Sequence, residues 1–400
     1  MSLGRPFWTW WSAAVLTNLG DGIRLAAFPL LAAQLTDEPV LVGAVATAAG
    51  LPWLLTGLLA GSLADRVGAR RLLPLADAGR VVVLAGLIAL LVAERAGIGV
   101  LLVAAFLLGV AETVRDTAAE TVVPRLVSED QLERAGGRLT AGSLIGNEFA
   151  GPLLGGLLFG AGAALPFLAS SAATALAVLL VITLPAAVLR LLTPLEPAQR
   201  SADSGTRAGL RWLRRQRQLG TLVIVVALVA LADSAWFAVF VLYTEGPLSL
   251  GPLGFGALLA LGAAGGLTGA LLADKAVAGR RHRAAVAWSS AVATGSPGLL
   301  LLAPELWAAG VVVVVSSAAF GVLNVAAAGL RYRLVPSDLL GRVSAAWRTS
   351  AFAASAGGAL AGGVIASAQG LSAPFVLSVA LGAVATGLWL VCTRTGPAVA

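Results

Sequence analysis

Three residues poorly suited to hydrocarbon, Asn18, Asp21 and Arg24, stand three apart in an otherwise apolar stretch. That spacing sets them toward one face of a helix, where Asp21 can pair with Arg24 and lessen the cost of both. A charged side chain inside a bilayer costs about 2.5 to 3.5 kcal/mol on insertion scales, so each one is a candidate for function rather than packing. Two more acids lie deep in apolar runs: Asp233, followed one turn later by Trp236, and Glu148, next to Asn147 and far in sequence from any base. A carboxyl with no cation beside it can take up a proton in hydrocarbon and release it again near neutral pH, which is what a proton carrier requires. The alternative for Glu148 is a permanently protonated group hydrogen-bonded to a neighbouring helix. Asn18, Asp21, Arg24, Glu148, Asp233 and Trp236 are therefore expected to couple protons or line a substrate cavity. A second constellation, Glu112, Arg115, Asp116 and Glu120, recurs at helical spacing toward the end of another apolar run. It is expected to form an inner gate, or else Arg115 is tied structurally to Asp77 or Glu120.

These residues need long apolar elements to hold them. Runs of about 20 residues, enough to cross a hydrocarbon core of roughly 30 Å, recur along the whole chain. The 400 residues are 58% hydrophobic and only 12% charged, from which a water-soluble surface cannot be built. Hydropathy and loop punctuation predict twelve helices, near 7–35, 39–64, 72–94, 98–120, 136–160, 165–189, 218–245, 252–273, 284–303, 306–330, 343–367 and 371–393. The fold class is thus an all-α polytopic membrane protein in two six-helix bundles, 1–190 and 218–400, joined by a cytoplasmic linker, 191–217. The linker ends in Arg211, Trp212, Arg214, Arg215 and Arg217, which reads as a segment lying on the membrane surface.

The net charge of +7 comes largely from arginines in short loops on one side of the predicted spans, which orients that side and both termini to the cytoplasm. Topology explains this basicity better than nucleic-acid binding does. The expected setting is a multi-pass monomer in the cell membrane whose partners are lipid, a small molecule and protons. No cofactor and no metal is expected. Cys392 is the single cysteine, so no internal disulfide can form. The single histidine, His282, stands in the basic loop from Gly279 to Arg283, where a solvated side chain is expected. The halves also repeat in sequence: a shift of 212 sets Asp21 over Asp233, Phe28 over Phe240, Gly109 over Gly321 and Pro124 over Pro336. After a loop shortening, Gly151, Gly155 and Gly156 fall over Gly358, Gly362 and Gly363.

Between the second and third apolar runs lies Gly61-Ser-Leu-Ala-Asp65-Arg66-Val-Gly68-Ala-Arg70-Arg71. Its pattern, G-x-L-A-D-R-x-G-x-R-R, resembles the loop signature of the major facilitator superfamily, with Ala69 where a basic residue is usual. In that family the aspartate, here Asp65, meets the start of the eleventh span, here near Arg342 to Ser344, and latches the halves. Gly61, Asp65, Arg66, Gly68, Arg70 and Arg71 are expected to form this cytoplasmic gate loop. Gly146 with Gly151-Pro152-Leu-Leu-Gly155-Gly156 is similar to the span 5 signature of the family's exporters. Together with the stretch from Glu112 through Pro124 to Asp130, it resembles the drug:proton antiporters of the macrolide and siderophore exporter branch.

The resemblance implies a secondary active transporter, proton-coupled and exporting a small, partly hydrophobic compound such as an antibiotic, another drug or a siderophore. Competing readings are an importer or uniporter of the same fold, a non-transporting membrane sensor, and a membrane-embedded enzyme. No phosphate-binding loop, metal-ligand cluster or nucleophile with its base supports ATP-driven transport or enzymology.

Overall fold

A computed structural model describes residues 3–183, 216–277, 282–336 and 339–394. Most of the predicted linker, Leu191 to Arg217, lies outside them.

The first four helices are α1 (Arg5–Leu35), α2 (Pro39–Val67), α3 (Ala69–Val92) and α4 (Ile98–Glu120). Their boundaries follow local chemistry. Pro6 opens α1 just inside its first turn, where a missing N–H costs nothing. Gly68 separates α2 from α3 with φ 80° and ψ 152°, a conformation essentially confined to glycine. The fifth crossing is composite: a short helix α5 (Val123–Leu126), a 3-10 turn (Glu129–Gln131), α6 (Leu132–Ser143), a π-helical segment (Leu144–Ala150) and α7 (Gly151–Ala161). It begins earlier than the predicted 136. Pro152 explains the π segment, since its ring nitrogen cannot donate to the Glu148 carbonyl and the hydrogen-bond ladder widens on approaching it. The sixth crossing is α8 (Leu165–Ile182).

The second half continues with α9 (Arg217–Phe237), which breaks and resumes as α10 (Phe240–Glu245), then α11 (Pro252–Val277). The ninth crossing joins α12 (His282–Gly295) to α13 (Leu299–Leu302) through a 3-10 turn at Pro297, and the last three helices are α14 (Leu306–Leu334), α15 (Leu340–Gln369) and α16 (Ala373–Arg394). Eleven segments among the described residues are long and apolar enough to cross a membrane. The exception is α1, which at 31 residues has the length but carries Asn18, Asp21 and Arg24 midway. The position of these polar residues, not the length of the helix, separates it from the other eleven. His282 departs from expectation: it starts α12 and is only 9% exposed, because the helix begins before the predicted 284 and draws the imidazole in toward Gly329.

The chain forms two compact units, Met1–Asp37 with Ala48–Gln199 and Leu250–Ala260, and Glu38–Thr47 with Arg200–Ser249 and Leu261–Ala400. In the first, α1 packs on α8, α7 and the π segment, while α3 packs on α4 and α8. In the second, α9 packs on α16 and α15, while α12 packs on α14 and α16. These pairings are the same in repeat register, as the 212-residue shift requires. Each unit has its own core. One is built around Trp10, Leu72 and Leu73, the other around Leu222, Val225 and Trp389. Many large apolar side chains point outward, among them Leu75, Val82, Val92, Leu271 and Leu302. In water such a surface would aggregate, whereas lipid tails match it.

Candidate functional site

Asp21, Arg24, Asp77, Glu112, Arg115 and Asp116, together with Arg80, form one connected ionic chain across three helices. Arg24 pairs with Asp21 on its own helix α1 and lies 3.5 Å from Glu112 of α4. Asp21 also pairs with Arg80 of α3, whose guanidinium reaches Asp77 on the same helix at 3.5 Å. Asp77 in turn holds Arg115 of α4 at 3.1 Å, and Arg115 lies 3.4 Å from its neighbour Asp116. The Nη2 of Arg115 also donates to Thr17 Oγ1 at 2.9 Å. Arg80 is fully buried, and Arg24, Asp77 and Arg115 are nearly so. A lone charge at such a site would be very costly, and only a complete set of partners makes the cluster tenable.

Arg115 is thus bound by Asp77, Asp116 and Thr17, and Glu120 is an exposed residue at the end of α4. Sequence reasoning missed Arg80 and Thr17. The signal for Arg80 was present, since Asp77 and Arg80 share the three-residue spacing of Asp21 and Arg24. Asn18 lies apart from these charges. Its Oδ1 accepts from Ser143 Oγ of α6 at 3.0 Å instead of joining the ionic chain. Six residues along a helix amount to about 120° of rotation, so Asn18 and Arg24 cannot share a face closely.

The π segment carries Glu148, which accepts from Asn147 Nδ2 at 3.0 Å and forms no ion pair among the described residues. The glycines around it let backbones approach as few residues allow. Gly146 lies against Val15 and Leu19 of α1, Gly151 against Gly22, and Gly155 against Ile23. Gly156 instead abuts Pro252 and Gly256 at the start of α11. The repeat mates do the same in the second unit: Gly358 meets Leu231, Gly362 meets Ala235, and Gly363 meets Pro39 and Val40. Small residues at these seams give van der Waals contact where no hydrophobic effect drives helices together.

In the second unit, Asp233 of α9 is partly buried. Ser316 Oγ of α14 lies 3.5 Å from Asp233 Oδ1 and 2.9 Å from the Ala293 carbonyl, so its single proton serves one acceptor at a time. Trp236 is 2% exposed and packs edge-on to Phe240 at 5.2 Å between ring centroids. No arginine or lysine pairs with Asp233 among the described residues, so the repeat conserves the acid but not its ionic surroundings.

At the gate loop, the N–H of Gly68 donates to the Ala64 carbonyl at 3.0 Å and its carbonyl accepts from Arg71 at 3.2 Å, closing a one-residue turn. Arg66, Arg70 and Arg71 are exposed, and a side chain at Gly61 would meet open space. The side chains of Asp65 and Arg342 lie outside those described.

Residues 10–356 match the Major Facilitator Superfamily as a sequence family. The chain belongs to the major facilitator superfamily. It is thus a multi-pass membrane transporter by family, and it has efflux proteins among its relatives. It is 30% identical over 395 residues to the multidrug efflux pump Tap of Mycobacterium tuberculosis, covering 94% of this chain and 90% of that one. It is 28% identical over 347 residues to the enterobactin exporter EntS of Shigella boydii, covering 84% and 79%. Among solved structures, a bacterial homologue of the iron transporter ferroportin superposes with a TM-score of 0.77 at 16% identity, over 98% of this chain and 100% of that one. The nucleoside transporter NupG superposes with a TM-score of 0.74 at 12% identity, over 98% and 99%. At such identities the structures share the superfamily's fold with this chain and nothing more specific.

Proposed function

We propose that this transporter exports a small, partly hydrophobic compound across the cell membrane in exchange for protons, by alternating access of the bundles 1–190 and 218–400. Its termini are cytoplasmic and it acts as a monomer. The observation that carries this reading is that Glu148 and Asp233 are carboxyls in membrane-spanning helices with no cationic partner among the described residues. A group in that position can alternate between a neutral and a charged form, and substrate and proton can compete for it. Glu148 sits on a π segment between two glycine contacts, where a local shift of helix register would re-aim its side chain. The export direction is supported by the glycine–proline segment pressed on α1 and by the printed functions of the relatives, a multidrug efflux pump and an enterobactin exporter.

Reconstitution into proteoliposomes with an imposed pH gradient and a panel of fluorescent drugs tests the proposal. Uphill movement of at least one compound, collapsed by a protonophore, is the expected result. Asp233→Asn and Glu148→Gln should each abolish gradient-driven movement while leaving counterflow at equal pH. Undiminished uphill transport in the double variant would overturn the assignment of coupling to these acids.

A further inference from the structure

The ionic chain of the first unit has a regularity that no single pair reveals. Its order is Glu112, Arg24, Asp21, Arg80, Asp77, Arg115, Asp116, alternating in sign and containing four acids and three bases. The ends are its most exposed members, with side-chain exposures of 33% for Glu112 and 42% for Asp116, against 14% or less for the five between them. Successive links also alternate in kind. Arg24 with Asp21, Arg80 with Asp77, and Arg115 with Asp116 are pairs within one helix. Glu112 with Arg24, Asp21 with Arg80, and Asp77 with Arg115 join α4 to α1, α1 to α3, and α3 to α4.

Three guanidiniums can each fully satisfy one carboxylate, so one acid is always left over, and a proton there leaves no net charge buried in the chain. If the proton is on Glu112, every arginine pairs within its own helix. If it is on Asp116, every arginine pairs across to another helix. We propose that the position of this one proton, taken up from water at Glu112 or Asp116, selects whether α1, α3 and α4 are untied or tied together in a ring. The arginines stay protonated throughout; only their partners change, and release returns the proton to water from the same carboxyl.

The other elements packed on these helices carry charged groups of their own, none of which forms a link of the chain. None comes from α8; α5 brings Arg125, α6 brings Glu133, Arg134 and Arg138, the π segment brings Glu148 held by Asn147, and α2 brings Arg66 at its end.

The inference deepens the proton-coupled reading and rests on it for its role in transport, but its test needs neither gradient nor substrate. Glu112→Gln and Asp116→Asn imitate the two protonated states. They lie one helical turn apart, and each brings acids and bases into balance, so neither strands a buried charge. Spin labels at Leu25→Cys of α1 and Val82→Cys of α3, both exposed positions, report the Arg80 link in a Cys392→Ser background by pulsed dipolar spectroscopy. The expected result is a longer and broader distance distribution in Glu112→Gln than in Asp116→Asn, with wild type at low pH populating both. Cutting the chain with the balanced pair Asp77→Asn and Arg80→Gln should erase the difference between the two end variants. Identical distributions in the two end variants, or a difference that survives the cut, would overturn the proposal. If the distributions respond as expected yet no pH gradient drives transport, the coupling reading fails and the ring stands. If gradient-driven transport holds while the end variants behave alike, the ring alone fails.

Discussion

Replacing Gly22 with alanine tests whether the seam between α1 and the π segment is as close as its backbone atoms suggest. A Cβ at Gly22 would lie 2.5 Å from the Asn147 carbonyl oxygen, 2.7 Å from that of Gly146 and 2.8 Å from the Asn147 Cα. All three are backbone atoms, so no rotamer change relieves the overlap. Carbon and oxygen atoms pack comfortably at about 3.5 Å, so the helices must part by about 1 Å along the seam. Overpacking of this kind costs about 1 to 3 kcal/mol. Gly151→Ala strikes the same seam from the other side, its Cβ falling 2.6 Å from the Gly22 carbonyl carbon. Once one substitution has opened the gap, the second meets less resistance, so the pair should cost less than the sum of the singles by about 1 kcal/mol, as contacting residues do. The assay is unfolding of purified protein in mixed micelles under increasing dodecyl sulfate, with gradient-driven transport measured on the same variants. Transport should fall with stability, because the seam aims Glu148. Gly86→Ala is the control: a side chain there meets nothing within 4 Å, so ordinary helix propensity should make it neutral or stabilising by about 0.5 to 1 kcal/mol. Wild-type stability in Gly22→Ala, or strict additivity with Gly151→Ala, would refute the reasoning.

Three further expectations follow from local geometry. Gly68→Ala forces a β-carbon into a backbone conformation of φ 80° and ψ 152°, which costs about 1 to 3 kcal/mol and should lower the unfolding midpoint and slow transport. Thr17→Val leaves the Arg115 guanidinium without the hydroxyl it reaches at 2.9 Å; losing a bond to a buried charge costs about 1.5 to 3 kcal/mol, whereas Thr17→Ser should restore it, as unfolding titrations of both will tell. Asp65→Asn keeps the size and shape of the gate-loop side chain while removing its charge, so expression and unfolding should match wild type while turnover in proteoliposomes falls; unchanged turnover would argue against a latch at this loop.

Several features were legible because they depend on neighbours in sequence. The Asp21–Arg24 pair needs only a three-residue spacing, and the turn at Gly68 needs only a residue free to adopt positive φ. The match of Gly155 with Gly362 was visible as a repeat, and both glycines press on the same repeat position of their partner helix, Ile23 and Ala235. Other features were hidden for equally definite reasons. Arg80 reads as a lone arginine midway along α3, spaced only to Asp77, until Asp21 is found beside it. Asn18 belongs with Asp21 at a spacing of three but not with Arg24 at a spacing of six, where the misfit of about 60° at each step has grown to about 120°. His282 was assigned to a loop because its neighbours are basic, yet a helix beginning two residues earlier than predicted draws it inside.

By itself the sequence determined the solvent, the family and the addresses of the acids. Apolar runs of spanning length admit only a bilayer, and the gate-loop motif is a continuous string that needs no fold to be recognised. Tertiary structure decided how the charges combine. Asp21, Arg80, Asp77 and Arg115 choose partners by Coulombic attraction over a few ångströms, and those separations exist only once α1, α3 and α4 are packed. It likewise made Glu148 and Asp233 different from Asp21. All three are acids in apolar helices, but only Asp21 is met by arginines from its own helix and from α3.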